Sequence, residues 1–203
     1  EDRDGFIWFG TSNGLNRYDG SGFKIYNRQY KNSHRLTSDI INCVAEVEGD
    51  IWIGTPTGLF VLEKRMDTIR PVTVIPGKST GVLKFEKDFD NKIWAITNRG
   101  IFVLNKGTPE PIEKIYPKTA GQIQYKVFNT VKRDSFRKGI WFSADNKLFF
   151  FHQPSGQFFS LENNPNHWSI FQSGQMISMA VDGQGKIWFV SSLPYLQLFD
   201  FAT

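Results

Sequence analysis

The chain has 203 residues, of which 40% are hydrophobic and 22% are charged, a composition typical of a globular protein and not of a disordered one. Its net charge of +4 is spread in short stretches of mixed sign, so nucleic acid is not indicated as a partner. The single cysteine, Cys43, excludes an internal disulfide framework and a cysteine-based zinc cluster, and no apolar run is long enough for a membrane helix, so any membrane connection requires flanking segments.

The pair Ile-Trp recurs along the chain and defines a repeat. It starts at residues 7, 51, 93, 140 and 187, at intervals of 42 to 47 residues, which match the length of a four-stranded propeller blade. Trp lies on one face of its strand and the neighbouring apolar residues lie on the other, so the strand is buried on both faces. We therefore predict that five of the six tryptophans are core residues of the repeat: Trp8, Trp52, Trp94, Trp141 and Trp188.

Each repeat predicts four short strands joined by hairpins. A polar turn opens six residues before the tryptophan in three repeats, at Asp2, Asp88 and Asp182. A second hairpin starts six residues after it, at Gly14, Gly58 and Gly100. In the second repeat the four strands are predicted at 40–46, 50–55, 58–63 and 70–75. No segment of helical length shows a 3.6-residue period, so the chain is predicted to be all-β.

The two ends of the chain complete the count of blades. Residue 1 precedes a tryptophan strand and residue 203 follows a third strand, so the first blade lacks its innermost strand and the last lacks its outermost. We predict one β-propeller segment over residues 1–203, with about five four-stranded antiparallel blades of which the first and last are incomplete. Such an arc exposes apolar blade faces, which favours a segment of a longer propeller over the alternative of a closed five-bladed ring.

The sequence carries no local signature of catalysis. The three histidines, His34, His152 and His167, are far apart and form no metal-ligand spacing. There is no nucleophile elbow and no phosphate-binding glycine loop. The stretches 87–92 and 181–186 resemble calcium loops only faintly, and the hairpin-turn interpretation is favoured. We therefore expect no metal, no cofactor and no enzymatic activity in this segment.

One face of the predicted propeller collects the candidate binding residues. In a four-stranded blade, the loop between the second and third strands and the loop to the next blade emerge on the same face. There we expect amides, cations, a carboxylate and aromatic rings, which suit a polar or anionic ligand: Asn13, His34, Arg35, Thr57, Asn98, Arg99, Asp145, Asn146, His167, Trp168 and Tyr195. The alternative is an ordinary solvated loop face. Trp168, outside the repeat register, is expected either to stack on a ligand or to pack as a lid on the blade edge.

Two stretches carry a resemblance to a known family. They are DGFIWFGTSNGLNRYDGSGFKIYNR (4–28) and LTSDIINCVAEVEGDIWIGTPTGLFVL (36–62), and they resemble the two-component regulator propeller repeat. The later repeats match it less closely, because WAIT, WFSA and WFVS replace the Trp-x-Gly-Thr motif. The motif residues that carry over are structural: Trp8, Gly10, Thr11, Gly14 and Leu15, and then Trp52, Gly54, Thr55, Gly58 and Leu59.

The resemblance implies the periplasmic sensor region of a hybrid two-component system of Bacteroides-type bacteria. Such regions contain seven-bladed propellers, form homodimers, bind oligosaccharides and control glycan-utilisation genes through an attached histidine kinase in the inner membrane. Two alternatives stay open for this segment. The first is a structural or protein-interaction propeller whose ligand binds elsewhere, and the second is a propeller lyase or hydrolase.

Overall fold

The structure, a computed structural model, describes residues 1–30, 36–105, 107–122, 128–145, 147–173, 176–191 and 193–201. In this part of the chain eighteen strands form five antiparallel sheets, each a simple meander in chain order. Three sheets have four strands, and the first and last have three. The prediction of an all-β chain with three whole and two incomplete blades is therefore confirmed.

The first three sheets follow one another between residues 7 and 111. Sheet one contains β1 (Ile7–Thr11), β2 (Gly14–Tyr18) and β3 (Phe23–Tyr26). Sheet two contains β4 (Cys43–Val47), β5 (Asp50–Thr55), β6 (Gly58–Glu63) and β7 (Thr68–Val72). Sheet three contains β8 (Val82–Lys87), β9 (Ile93–Thr97), β10 (Gly100–Asn105) and β11 (Thr108–Pro111).

The last two sheets follow a short helical stretch. This stretch is a four-residue helix, α1 (Ile112–Ile115), and a 3₁₀ turn at Pro117–Thr119. Sheet four contains β12 (Phe128–Asp134), β13 (Gly139–Ala144), β14 (Lys147–His152) and β15 (Gln157–Phe159). Sheet five contains β16 (Met176–Val181), β17 (Ile187–Ser191) and β18 (Leu196–Phe199). Two further 3₁₀ turns lie at Gln153–Ser155 and Ser169–Ser173.

In the second repeat the two middle strands, 50–55 and 58–63, have the predicted bounds. The first strand was predicted to start at 40, but β4 starts at Cys43 because the Ile41 N–H donates to the Thr11 carbonyl of sheet one, 2.9 Å away. The last strand was predicted at 70–75, but β7 pairs with β6 from Thr68, directly opposite Glu63. The intervening turn is therefore shorter than the sequence pattern indicates.

The contacts divide the chain into two compact units, each with its own core. Unit one comprises Glu1–Phe85 and Ile93–Glu110, and unit two comprises Glu86–Lys92 and Pro111–Thr203. Within each unit, neighbouring sheets pack through apolar side chains. Burial of these side chains is the main favourable contribution to the stability of the fold.

The contact between successive sheets has a fixed direction. Trp8 of sheet one packs against the cluster that contains Ile51 and Ile53 of sheet two. Trp52, between those two isoleucines, points to the opposite face and packs in the cluster that contains Ala95 of sheet three. In unit two the same rule places Trp141 of sheet four in one cluster with Ile187 and Phe189 of sheet five. In these three contacts the tryptophan face meets the isoleucine face of the following sheet, and Trp52 and Trp141 are buried as predicted.

Two sheet faces remain open to solvent in the described structure. On sheet one the isoleucine face is exposed, including Ile7, Phe9 and Phe23. On sheet five the tryptophan face is exposed, including Trp188 and Leu198. The exposed apolar faces expected for an incomplete arc are therefore observed.

An aspartate fastens the hairpin turn of several repeats to the tryptophan. In the first repeat, Asp2 Oδ1 accepts the backbone N–H groups of Asp4 and Phe6, both at 3.0 Å, and Oδ2 accepts the Trp8 indole N–H at 2.8 Å. Asp182 makes the same contacts in the fifth repeat, with Trp188 at 2.9 Å. The aspartate turns were predicted from sequence, but the bond to the indole was not. It explains the six-residue spacing in these two repeats, because the turn and the strand share one carboxylate.

A charged cluster ties sheet one to sheet two in unit one. The Asp67 carboxylate, in the turn after β6, accepts hydrogen bonds from the Tyr26 and Tyr30 hydroxyls and pairs with Lys24. Burial alone would raise the pKa of the Asp67 carboxyl, but these hydrogen bonds bring it below its usual value. Burial and the Asp67 charge raise the pKa of Tyr26 to about 12.

Candidate functional site

Three of the turns between second and third strands are shaped by a threonine. The Thr55 hydroxyl donates to the carbonyl of Gly58 at 2.9 Å and accepts the N–H of Thr57 at 3.2 Å. The equivalent threonines, Thr11 and Thr97, make the same two bonds. The Thr and Gly of the repeat motif therefore form one structural device, which fixes the residue at the tip of each turn: Asn13, Thr57 and Arg99.

In unit one these turn tips meet the loops that lead to the next sheet. The Thr57 hydroxyl lies 2.7 Å from that of Thr37 in the loop before sheet two. The Ser79 hydroxyl, in the loop before sheet three, donates to the Thr57 carbonyl at 2.9 Å. Arg99 Nε donates to the Ser79 carbonyl at 3.0 Å. The two kinds of loop thus share one face of this unit, as the four-stranded geometry predicts, and we call the line Thr37, Thr57, Ser79 and Arg99 the loop face.

Asn98 has a structural role beside the loop face. The Asn98 side-chain oxygen accepts the backbone N–H of Gly81 at 3.1 Å. The Asn98 backbone N–H donates to the Gly81 carbonyl at 3.0 Å. Gly81 passes so close to the Pro56 carbonyl oxygen that a Cβ atom at this position would overlap it. These contacts hold the turn of sheet three against the loop before it. The Asn98 side-chain oxygen therefore already accepts a hydrogen bond within the protein.

A cleft of about 640 Å³ opens next to Thr57. Its lining includes the apolar residues Leu59, Val72 and Val74 and the hydroxyl-bearing residues Thr37, Thr57 and Ser79. This volume falls in the range of small-molecule sites, which are mostly apolar and carry a few polar groups. The cleft can therefore accept a ligand that has both an apolar surface and hydroxyl groups.

Lys78 reaches the cleft through a tight turn. Its N–H donates to the Ile75 carbonyl at 3.1 Å, and the intervening Pro76-Gly77 pair, with φ of +70° at Gly77, has the residues that a type II turn requires. The strand predicted from sequence ended at residue 75, and Lys78 was not among the predicted site residues. The Pro-Gly pair was the available signal, because it marks a turn and not a strand.

Two cations, Lys78 beside the loop face and Arg99 on it, have no counter-ion among the described residues. Lys78 is exposed and Arg99 is half-buried, and neither forms an ion pair with any carboxylate of the described residues. Among the described residues, Arg99 forms a guanidinium hydrogen bond through Nε alone, which leaves its two terminal nitrogens for a ligand. Together with the hydroxyl groups of the cleft, they suit an acceptor-rich or anionic group.

None of the other predicted site residues that the structure describes lines this cleft. Asn13 and Asp145 are exposed at the tips of their turns, and Tyr195, 59% exposed, lies between β17 and β18. His34, Arg35 and Asn146 fall outside the described residues. Exposed His167, with a positive φ of 54°, precedes Trp168 in the long connection between sheets four and five.

Trp168 packs as a lid on the core of unit two. Its ring centroid lies 5.9 Å from that of Trp141, 5.5 Å from Phe150 and 5.1 Å from Phe201. Asn164 fixes this position, because its side chain accepts the Trp168 N–H at 2.9 Å and donates to the Trp168 carbonyl at 3.0 Å. Packing on the blade edge, one of the two expected roles of Trp168, is therefore observed.

In the part of the chain that the structure describes, no three His, Cys, Asp or Glu side chains lie close enough together to hold a metal ion. No helix there has the length and the apolar character needed to cross a membrane.

The sequence matches no protein-family profile and no curated protein. The structure is similar to the extracellular domains of two hybrid two-component systems of Bacteroides thetaiotaomicron, in each case with a TM-score of 0.53 and 18% identity over the whole chain. This chain spans 33% of the length of those domains. It is also similar to virginiamycin B lyase of Staphylococcus aureus, with a TM-score of 0.60 and 14% identity over 100% of this chain and 68% of the enzyme. The fold of this chain is thus a propeller-type arrangement of blades that is found both in extracellular sensor domains and in an enzyme.

Proposed function

We propose that this chain is a ligand-sensing module of a hybrid two-component sensor, located in the periplasm, which binds an oligosaccharide at the loop face of unit one. Its role is then to control glycan-utilisation genes through an attached kinase, as part of a homodimer, without catalysis of its own. The fold similarity to extracellular sensor domains supports the sensor role. The observation that carries the binding site is the pair of cations without a counter-ion among the described residues, Lys78 and Arg99, beside a cleft lined by hydroxyl groups.

The chemistry of the cleft suits a carbohydrate that bears an acidic group. Sugar hydroxyls can exchange hydrogen bonds with Thr37, Thr57 and Ser79, and the apolar part of the lining suits the C–H face of a sugar ring. A carboxylate or sulfate would complete the hydrogen bonds of Arg99 and Lys78. Signalling additionally requires that the ligand bind one arrangement of the sensor more tightly than the other.

Calorimetry with acidic and neutral oligosaccharides tests this proposal. Arg99→Gln and Lys78→Gln should each weaken the binding of an acidic fragment by about tenfold or more, because each removes a charge-assisted hydrogen bond. Arg65→Gln is the matched control, since Arg65 is exposed in the turn at the far end of β6 and should leave binding unchanged.

The remaining outcomes separate the alternatives. If the double variant Lys78→Gln and Arg99→Gln binds as tightly as the wild type, the ligand binds elsewhere and the propeller is a structural platform. If the bound oligosaccharide is cleaved, the chain is an enzyme, and the sensor proposal is wrong for this module.

A further inference from the structure

A second cavity lies in unit two, at the opposite end of the strands from the Asp145 turn. It has a volume of about 280 Å³ and is lined by Phe136, Arg137, Lys138, His152, Asn166 and Trp168. The first three belong to the turn between β12 and β13, and His152 ends β14. The small volume suits a single ring and not an extended chain.

Two aromatic side chains contribute to the walls of this cavity. Trp168 is half-buried: it packs against the core of unit two, and its remaining accessible surface lines the cavity. Phe136 is 56% exposed although its ring packs on the backbone of Gly185, where a Cβ atom would lie only 2.9 Å from the ring. One part of the Phe136 ring therefore packs on Gly185, and the rest of the side chain is exposed to solvent. Such a surface favours the flat face of a ring-shaped ligand.

The two cations of the cavity differ in availability. Arg137 is occupied, because its guanidinium donates to Asp134 and to the Gly185 carbonyl, both at 2.7 Å, and lies 3.2 Å from the centre of the Phe201 ring. Lys138 is exposed and forms no ion pair with any described residue. The cavity thus offers one positive charge, that of Lys138, which no described residue neutralises.

Two further side chains can form hydrogen bonds with a ligand. His152 Nδ1 shares a hydrogen bond with the Ser155 hydroxyl at 3.0 Å, which leaves Nε2 for the cavity. Burial lowers the pKa of His152, so its imidazole is neutral near neutral pH. Asn166 is exposed at the cavity and adds an amide that can both donate and accept.

We propose that this cavity binds a single ring that carries one carboxylate, with the ring against Phe136 and Trp168 and the carboxylate on Lys138. His152 and Asn166 bind polar groups at the edge of the ring. A sugar acid and an aromatic acid share this chemistry. The site lies wholly in unit two and does not depend on the cleft proposed for unit one.

Ligand-observed NMR on the full chain tests the proposal, with glucuronate and benzoate as probes. Glucose is the control for a ring without charge, and acetate is the control for a carboxylate without a ring. At least one of the two probes should bind, with both controls about tenfold weaker or more. Preference for glucuronate identifies a sugar acid, and preference for benzoate identifies an aromatic acid.

Variants then locate the bound probe. Lys138→Gln and Phe136→Ala change exposed side chains, so both should fold, and each should weaken the probe about tenfold. The matched controls are Lys132→Gln and Leu161→Ala, which are exposed in the same unit and do not line the cavity. Arg99→Gln should leave this binding unchanged, which keeps the test separate from that of unit one. The proposal is overturned if neither probe binds, if acetate or glucose binds as tightly, or if binding survives both Lys138→Gln and Phe136→Ala.

Discussion

The turn between β12 and β13 depends on one buried carboxylate, that of Asp134. Its Oδ1 accepts the backbone N–H groups of Phe136 and Arg137, at 3.0 and 3.1 Å. Its Oδ2 accepts the indole N–H of Trp141 at 2.9 Å and an Arg137 guanidinium N–H at 2.7 Å. Asp134 is completely buried, so water cannot replace any of these partners. We expect Asp134→Asn to destabilise unit two.

The expected loss follows from what an amide can and cannot do at this position. The asparagine oxygen can still accept the two backbone N–H groups, but its NH₂ group then faces the donors of Trp141 and Arg137. Each hydrogen bond to a charged acceptor is worth about 1.5–3 kcal/mol, and breaking a buried pair costs about 3–5 kcal/mol. Because Arg137 keeps its bond to the Gly185 carbonyl, we expect a total loss of about 3–4 kcal/mol. For a chain of this size that lowers Tm by about 6–16 °C.

Urea unfolding followed by tryptophan fluorescence measures this loss. The matched control is Asp182→Asn, because Asp182 makes the same bonds to its turn and to Trp188, which is 38% exposed. Water can replace the lost bonds there, so the control should lose clearly less stability. The reasoning is refuted if the two variants lose equal stability, or if Asp134→Asn loses less than about 1 kcal/mol.

Two further predictions concern unit one. Asp67→Asn should be less stable than the wild type at about pH 7, because the pKa of Asp67 is lowered in the folded chain. The stability that this gives is present above the unfolded value of about 4 and is lost as the pH falls through the lower pKa of the folded chain. Thermal melts of the two proteins should therefore converge near pH 2, and a gap that persists there would contradict the assignment. Gly81→Ala should lose about 1–3 kcal/mol, because its Cβ would overlap the Pro56 carbonyl oxygen. Gly183→Ala, with open space around the added Cβ, is the control for the same melts, and equal stability of the two would argue against the tight approach.

The repeat made most of the fold predictable. Trp52 and its neighbours Ile51 and Ile53 contact different sheets, and the same alternation recurs wherever one blade packs on another. Because each repeat packs against an equivalent neighbour, the same pattern of buried residues recurs in the sequence and can be recognised there. The role of Asp134 was not predicted from the repeat. Its turn has one more residue than the others, so the aspartate lies seven residues before Trp141 and not six.

The candidate sites were predicted only in part, because loops are not under the constraint of the repeat. The turns fixed by threonine, with Thr57 and Arg99 at their tips, lie where the geometry of a blade places them. Trp168 does not follow that rule, since the long connection that carries it folds against the core of unit two. Its position depends on apolar contacts with residues far away in sequence, and such contacts leave no local pattern. Lys78 was missed for a related reason: the turn at Pro76-Gly77 that carries it follows an apolar strand and is not part of the repeat pattern.

The directed contact between sheets has a consequence for how such a protein grows in evolution. A tryptophan face fits the isoleucine face of the sheet that follows it, and every whole repeat carries one face of each kind. A tandem duplication of one repeat in the gene therefore adds a blade whose two faces already match both of its neighbours. Copying alone lengthens the arc, and mutation is then free to diversify the loops while the interfaces stay the same.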